Sequence, residues 1–302
     1  MSKPPWLAWA EYLPLAMTLP LVARLPHPAA LWTGRVAGHL AYRLLGNHRR
    51  VCQANLGIAF GERLTAAQVQ EYGRSAFVNA LQTFLELALL SRLTQPDLAR
   101  LTLAPSGYDQ FRAALAQGRG VIGVSAHFGN WYWPVVCAAV EGFKVNVIVR
   151  PLDNPLLDRE MNRVLERWGI RVISRRRATV AALAALRRGE TVALMVDQNA
   201  ARHGRFIPFF GTPAATLQGL APLRRGSGAE VVAVHSRRLD GRHAVSATWL
   251  RDLPEEPDGA LLAVHRHFET VIGAAPGDYF WLHPRWKLRP PGEASLYPGL
   301  RV

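Results

Sequence analysis

Cysteine is nearly absent from this chain of 302 residues: Cys52 and Cys137 are the only two, and no Cys-x-x-Cys occurs. That excludes a disulfide scaffold and a cysteine zinc site, and it suits a reducing compartment. Lysine is almost as scarce, so arginine supplies nearly all of the basic charge. Acidic residues are also short, 22 against 36 Lys plus Arg, which leaves a net charge of +14. Such a surface suits an acidic partner: nucleic acid, an anionic membrane or an acidic carrier protein. The basic residues are dispersed rather than interleaved with aromatics in one compact module, so nucleic acid is not expected. No His-Glu-x-x-His is present and the ten histidines are scattered, so no metal is expected. No Walker pattern occurs, and the nearest approach to a serine-hydrolase elbow, Gly123-Val-Ser-Ala-His127, carries His where the turn needs Gly. With 49% apolar residues, no internal repeat and no polar low-complexity tract, the chain is globular.

A long uncharged run is missing too. Trp6 to Leu25 is rich in Trp, Leu, Ala and Met, yet Glu11 and Arg24 leave only 12 uncharged residues between them. A spanning helix requires about 20. Pro14 and Pro20 fall inside the segment, and it lacks the small-residue cleavage site of a secretory signal. It reads as a hydrophobic hairpin or interfacial helix in one leaflet, with Trp6, Trp9 and Tyr12 at headgroup level. The competing reading is a buried core helix. Residues 1–45 are thus expected to form N-terminal hydrophobic membrane-associating helices, and 46–302 an α/β domain.

Helical spacing marks Leu31 to Leu45, followed by the basic elbow Asn47-His-Arg-Arg50, and then Ser75 to Ser91. A further helix after Pro105 ends at Gly118. From Gly120 onward apolar runs at 121–126, 145–149, 171–173, 191–196 and 231–235 alternate with amphipathic stretches near 129–141, 155–168, 178–188 and 214–227. That alternation predicts an α/β fold, a mixed and largely parallel sheet flanked by helices. Asn154-Pro155 supplies a helix cap followed by proline at the first helical position.

His127 and Asp197 both fall at carboxyl ends of predicted strands, where ligands of such sheets gather. Gly129 and Asn130 permit a sharp turn after His127, and the following helix start offers N–H donors for an oxyanion. Arg150 ends a strand and suits a phosphate. Arg159, Arg163 and Arg167 recur every four residues, a spacing typical of a solvated helix face beside Glu160 and Glu166.

Four stretches carry a resemblance. They are Val121 to Trp133 with its Ser-Ala-His-Phe-Gly-Asn-Trp, Val149-Arg-Pro-Leu-Asp-Asn-Pro155, Met195-Val-Asp-Gln198 with Phe206-Ile-Pro-Phe-Phe-Gly-Thr-Pro213, and Trp281-Leu-His-Pro-Arg-Trp-Lys287. In this order they resemble the lipid A biosynthesis acyltransferases, within the His-x4-Asp/Glu acyltransferase superfamily. The resemblance implies O-acyl transfer from a thioester, on acyl carrier protein or coenzyme A, to a lipid acceptor hydroxyl, with no cofactor. It implies a place on the cytoplasmic face of the bacterial inner membrane, peripheral or monotopic. It assigns His127 as base and places Gly129, Asn130, Arg150 and Gln198 at the substrate. The cluster Phe206, Phe209 and Phe210 would line an acyl groove or belong to the core, and the closing Trp-rich segment would meet headgroups.

The acidic position of the signature is Tyr132, an uncharged phenol near neutral pH. Three outcomes are open: a carboxylate from elsewhere, Asp197 foremost, approaches His127; His127 acts without a charged partner; or the chain binds lipid without turnover.

Overall fold

The computed structural model describes residues 4–174, 178–200 and 204–302. Among them, six α-helices precede the first strand: α1 (Pro5–Ala23), α2 (His27–Leu44), α3 (Gly46–Phe60), α4 (Ala66–Leu90), α5 (Gln95–Leu101) and α6 (Tyr108–Ala116). Strand and helix then alternate as β1 (Val121–Ser125), α7 (Trp133–Val140), β2 (Val145–Val149), α8 (Pro155–Arg167), β3 (Arg171–Ser174), α9 (Ala178–Arg187) and β4 (Thr191–Met195). A separate antiparallel hairpin, β5 (Arg205–Phe209) and β6 (Thr212–Thr216), precedes α10 (Leu220–Ser227), β7 (Glu230–Leu239), β8 (Arg242–Trp249) and α11 (Pro257–Ala274).

The main sheet has the order β3-β2-β4-β1-β7-β8. Its first five strands run parallel, and β8 turns back antiparallel to β7. Both faces of the sheet are covered, which is why β1 is apolar throughout: Ile122 and Val124 enter one core, Val121 the other. The spacing Gly118-x-Gly120-x-x-Gly123 leads from α6 into β1, the reverse of the strand-to-helix turn that binds dinucleotides. Asn154 caps α8 as its sequence indicates, its side chain accepting from the N–H of Leu156 and Leu157. Both cysteines are buried and unpaired.

Three local expectations are corrected. Residues 212–216 are a strand, not the start of a helix, because Phe210 and Gly211 both take positive φ (51° and 73°) and fold the chain into a tight hairpin. The basic elbow at 47–50 lies inside α3, and the bend comes earlier, at Leu45 (φ −88°, ψ 66°). The N-terminal segment is one continuous helix with Pro14 and Pro20 inside it, not a hairpin. It is about 28 Å long at 1.5 Å per residue. By length and composition Trp6–Ala23 is long and apolar enough to cross a membrane. One side of α1 is committed to protein: the Tyr12 hydroxyl donates to Glu160 (3.3 Å), and the Asn154 amide donates to the Ala8 carbonyl and to Glu11 (both 3.0 Å). Tyr12 therefore faces α8, while Trp6, Trp9, Leu13, Met17 and Leu21 are exposed.

Helix α2 lies along α4 at a separation only small residues permit. A Cβ on Gly38 would stand 2.5 Å from the Val78 Cα, and one on Gly34 2.8 Å from the Gln82 Cγ. The opposite face of α2 exposes Trp32, Val36, Leu40 and Leu44 at every fourth position. Gly38→Leu should force the two backbones apart and destabilise the fold by about 1–3 kcal/mol. A lower denaturant midpoint at unchanged slope is the expected reading, and an unchanged midpoint would show that α2 is free to move away.

Candidate active site

The register of two neighbouring strands builds the site. β1 and β4 are parallel, with Ser125 opposite Met195, and the Val196 N–H continues the ladder to the Ser125 carbonyl (3.0 Å). Two residues beyond each strand end, His127 and Asp197 arrive side by side. Asp197 holds His127 at two points: one carboxylate oxygen accepts the backbone N–H (2.7 Å), the other accepts from Nδ1 of the ring (2.8 Å). An ionised carboxylate can only accept, so the ring proton sits on Nδ1 and the Nε2 lone pair is left outward. There the Gln198 amide nitrogen approaches Nε2 at 3.3 Å. Burial pushes the Asp197 carboxyl up, but the electrostatic pull of the His127 ring, the two hydrogen bonds from that residue and the nearby Arg285 prevail and hold it at about 2.

The closing Trp-rich segment wraps behind this pair rather than meeting solvent. Trp281, Trp286 and Arg285 are buried, which corrects the expectation of a headgroup contact. Arg285 donates to the carbonyls of Gln198 (3.2 Å) and Ala215 (2.6 Å) and to the Thr216 hydroxyl (2.6 Å). Its charge also favours ionised Asp197, whose charge together with burial pushes the Tyr279 phenol well up. His283 is pushed down to about 4 by burial, and its Nε2 accepts the Asn199 N–H (3.0 Å).

Gly129 and Asn130 serve the turn, not the open site. Gly129 takes φ 57°, and a Cβ there would stand 1.7 Å from the Ser236 carbonyl oxygen, so no other residue fits. Its N–H donates to the Asp278 carbonyl (2.9 Å), and its carbonyl accepts from Asn79 (3.1 Å) and Thr83 (3.0 Å). The Asn130 side chain is buried; it accepts from the N–H groups of Tyr132 (3.0 Å) and Trp133 (3.2 Å) and donates to Glu86 (2.8 Å). The N–H groups of Gly129, Tyr132 and Trp133 at this helix start are thus already engaged within the protein.

Glu86 is the hub behind the turn, and the sequence reading did not single it out. It is fully buried and accepts from Asn130, from Arg238 (2.9 and 2.5 Å), from His27 (2.9 Å) and from His243 (2.9 Å). Burial raises its carboxyl, but Arg238 and His243 overcome that and hold it well below the usual range. Its one signal was a lone acid in the apolar stretch Phe84-Leu-Glu-Leu-Ala-Leu-Leu90. His27, Glu86 and His243 bring three possible ligand atoms within 4.8 Å of one another. The set fits hydrogen bonds better than a cation. Arg238 already opposes the Glu86 charge, and among the described residues His243 Nδ1 has no partner to take the N–H that ligation through Nε2 would leave there.

In front of His127 opens a cavity of about 580 Å³. Val135, Val147, Met161, Leu165 and Leu194 give it apolar walls, while Gln198, Gln218 and Arg150 supply polar groups. Tyr132 lines it as well, its hydroxyl turned to the Met161 sulfur (3.5 Å); burial raises the phenol, which stays uncharged. The Gln218 amide nitrogen is buried without a partner among the described residues, a donor that sequence reasoning missed. Arg150 is exposed at the wall, 3.6 Å from Asp153. Among the other arginines, Arg163 pairs with Glu160 (2.6 Å), whereas Arg167 reaches the carbonyls of Leu90 and Leu93 (both 3.0 Å) and ties α8 to α4. Phe206, Phe209 and Phe210 do not line the cavity; Phe209 packs on Trp286 in the core.

The bacterial lipid A biosynthesis acyltransferase family model matches residues 5–288. The lipid A biosynthesis lauroyltransferase of Escherichia coli (strain K12) is 30% identical over 97% of this chain and 95% of its own length. The lipid A biosynthesis palmitoleoyltransferase of the same organism is 28% identical over 97% and 94%. A lipid A biosynthesis acyltransferase of Haemophilus influenzae is 25% identical over 63% and 61%. A hydrogen-bonded His–Asp pair at parallel strand ends, opening on an apolar cavity, thus coincides with a family match along almost the whole chain: the protein belongs to the bacterial lipid A biosynthesis acyltransferases and is an acyltransferase.

Proposed function

We propose that this chain moves a fatty acyl group from a thioester, on acyl carrier protein or coenzyme A, to a hydroxyl of a lipid A precursor at a membrane surface. The observation that carries the reading is the two-point grip of Asp197 on His127, with Nε2 turned to the apolar cavity. His127 Nε2 accepts the proton of the acceptor hydroxyl as its oxygen attacks the thioester carbonyl. The tetrahedral oxyanion collapses, the carbon–sulfur bond breaks, and the imidazolium returns its proton to the leaving thiolate. Asp197 keeps the ring in the tautomer the first step needs and stabilises the charged ring that follows. Gln198 beside His127 Nε2 and Gln218 in the cavity wall supply amide N–H donors for the oxyanion, and Arg150 at the rim suits a phosphate of donor or acceptor. Tyr132 serves as cavity wall, its signature role taken over by Asp197.

The exposed apolar faces of α1 (Trp6, Trp9, Leu13, Met17, Leu21) and α2 (Trp32, Val36, Leu40, Leu44) support membrane association. The net charge of +14 supports an anionic surface and an acidic carrier. Both proposed thioester donors belong to the cytosol, which supports a site on the cytoplasmic face of the inner membrane.

The test is transfer of a labelled acyl group from acyl-carrier or coenzyme A thioester to lipid A precursor by purified protein. Wild type is expected to turn over and His127→Ala to be inactive. Tyr132→Glu should lower the rate, because it sets a carboxylate against Met161 in the apolar wall. Inert wild type with active Tyr132→Glu would overturn the reading.

A further inference from the structure

A second cavity, of about 470 Å³, lies at the elbow between α1 and α2, where the ends of α4 and α5 meet it; none of its lining residues belongs to the active-site cavity. Three arginines converge on it: Arg24 from the elbow, Arg92 after α4, and Arg100 from α5. One carboxylate, Asp97, shares the lining, and it is committed to the Thr94 N–H (2.9 Å), the Thr94 hydroxyl (2.7 Å) and Arg100. Arg24 spends an N–H on the Pro20 carbonyl (3.3 Å) and Arg92 one on the Ala23 carbonyl (2.9 Å), of the five each guanidinium carries. The rest of the wall is apolar, with Leu25, Leu89 and Leu93. His27 closes it, its ring nitrogen bound to Glu86.

This combination fits an amphiphile better than a free ion. Arginines recognise phosphate oxygens through paired donors. Bare phosphate needs no leucine wall and only a small part of that volume. The cavity also adjoins the end of α1, whose Met17 and Leu21 are exposed apolar residues. We propose that the α1–α2 elbow holds the phosphate of an anionic phospholipid headgroup, its glycerol and first methylenes lying along Leu25, Leu89 and Leu93. This inference rests on the membrane association proposed above and adds to it a defined headgroup site.

Vesicle sedimentation separates the two. Apolar docking through α1 and α2 is read with phosphatidylcholine alone, and the elbow with phosphatidylcholine containing about a third phosphatidylglycerol. Arg24→Gln with Arg92→Gln should lose about 25-fold in preference for the anionic vesicles, each near-surface arginine being worth roughly 1 kcal/mol, or about fivefold. Binding to phosphatidylcholine alone should be unchanged. Arg171→Gln with Arg266→Gln removes as much charge from exposed positions outside the cavity and should lose less than about threefold. Leu93→Trp, which fills the cavity and leaves every charge in place, should reproduce the arginine loss and covers the case in which Arg92→Gln fails to fold.

Equal losses from both arginine pairs, or no loss with Leu93→Trp, would overturn the proposal in favour of diffuse electrostatics. A rise in melting temperature with inorganic phosphate alone, abolished in the arginine variant while vesicle preference persists, would overturn it in favour of a soluble phosphate. Absence of binding to any vesicle would instead overturn the membrane reading itself.

Discussion

Asp197→Asn is expected to lower kcat by about 10³- to 10⁴-fold while the fold and KM stay close to wild type. The isosteric amide presents one oxygen and one NH₂ to two N–H donors of His127, the backbone N–H and Nδ1–H. One bond must be lost, and the cheapest escape is a ring proton on Nε2, where the acceptor hydroxyl needs a lone pair. The double variant His127→Ala with Asp197→Asn should be hardly slower than His127→Ala alone, because the two act as one unit. Initial rates with labelled thioester decide the matter, and an unchanged kcat in Asp197→Asn would remove the carboxylate from the mechanism. Loss of rate on mild acidification is not expected to come from Asp197. A carboxyl held at about 2 contributes stability in full above its unfolded value of about 3.9 and loses it only as pH falls toward 2.

Glu86→Ala should cost about 3–5 kcal/mol of stability, since it leaves the part-buried Arg238 without its counter-charge. Asn130, His27 and His243 lose an acceptor in the same step. Arg238→Met in the Glu86→Ala background should recover much of the loss, because removing both charges leaves neither stranded. Denaturant unfolding of the two singles and the double measures this directly; strictly additive losses would show that the pair is uncoupled. The Glu86 carboxyl is depressed in the fold, so its contribution is complete above about pH 4.3 and fades as pH drops below that value.

The sheet and the positions of His127 and Asp197 at its strand ends were readable from the sequence for a common reason. Apolar runs bounded by turns gave β1, β2 and β4 closely, and β-strand ends are where His127 and Asp197 fall. Whether the two ends met depended on β1 and β4 being neighbours, a fact of topology that no local pattern contains. The hairpin was not read because the turn that makes it rests on a positive φ at Phe210, a residue that rarely adopts one. Strand β8 and helix α11 were not separated from the surrounding C-terminal segment. The turn after His127 and the family resemblance put Asn130 at the substrate, yet its side chain turns inward to Glu86. Interactions of that sort, 44 residues apart in the chain, have no periodicity to betray them.

The Ser125–Met195 register has a bearing on how such a chain tolerates change. Because neighbouring side chains on a strand point to opposite faces, deleting a single residue from β4 would carry Asp197 to the far side of the sheet and swing the β4 core residues outward with it. Substitutions beside the pair are a different matter: Tyr132 stands where the signature has an acid, and the histidine keeps its carboxylate because that group arrives on another strand. Drift by replacement is therefore permitted where drift by length is forbidden. Acyl transfer by a refolded or circularly permuted chain would then report, in one assay, that these two strands had found each other in the right alignment.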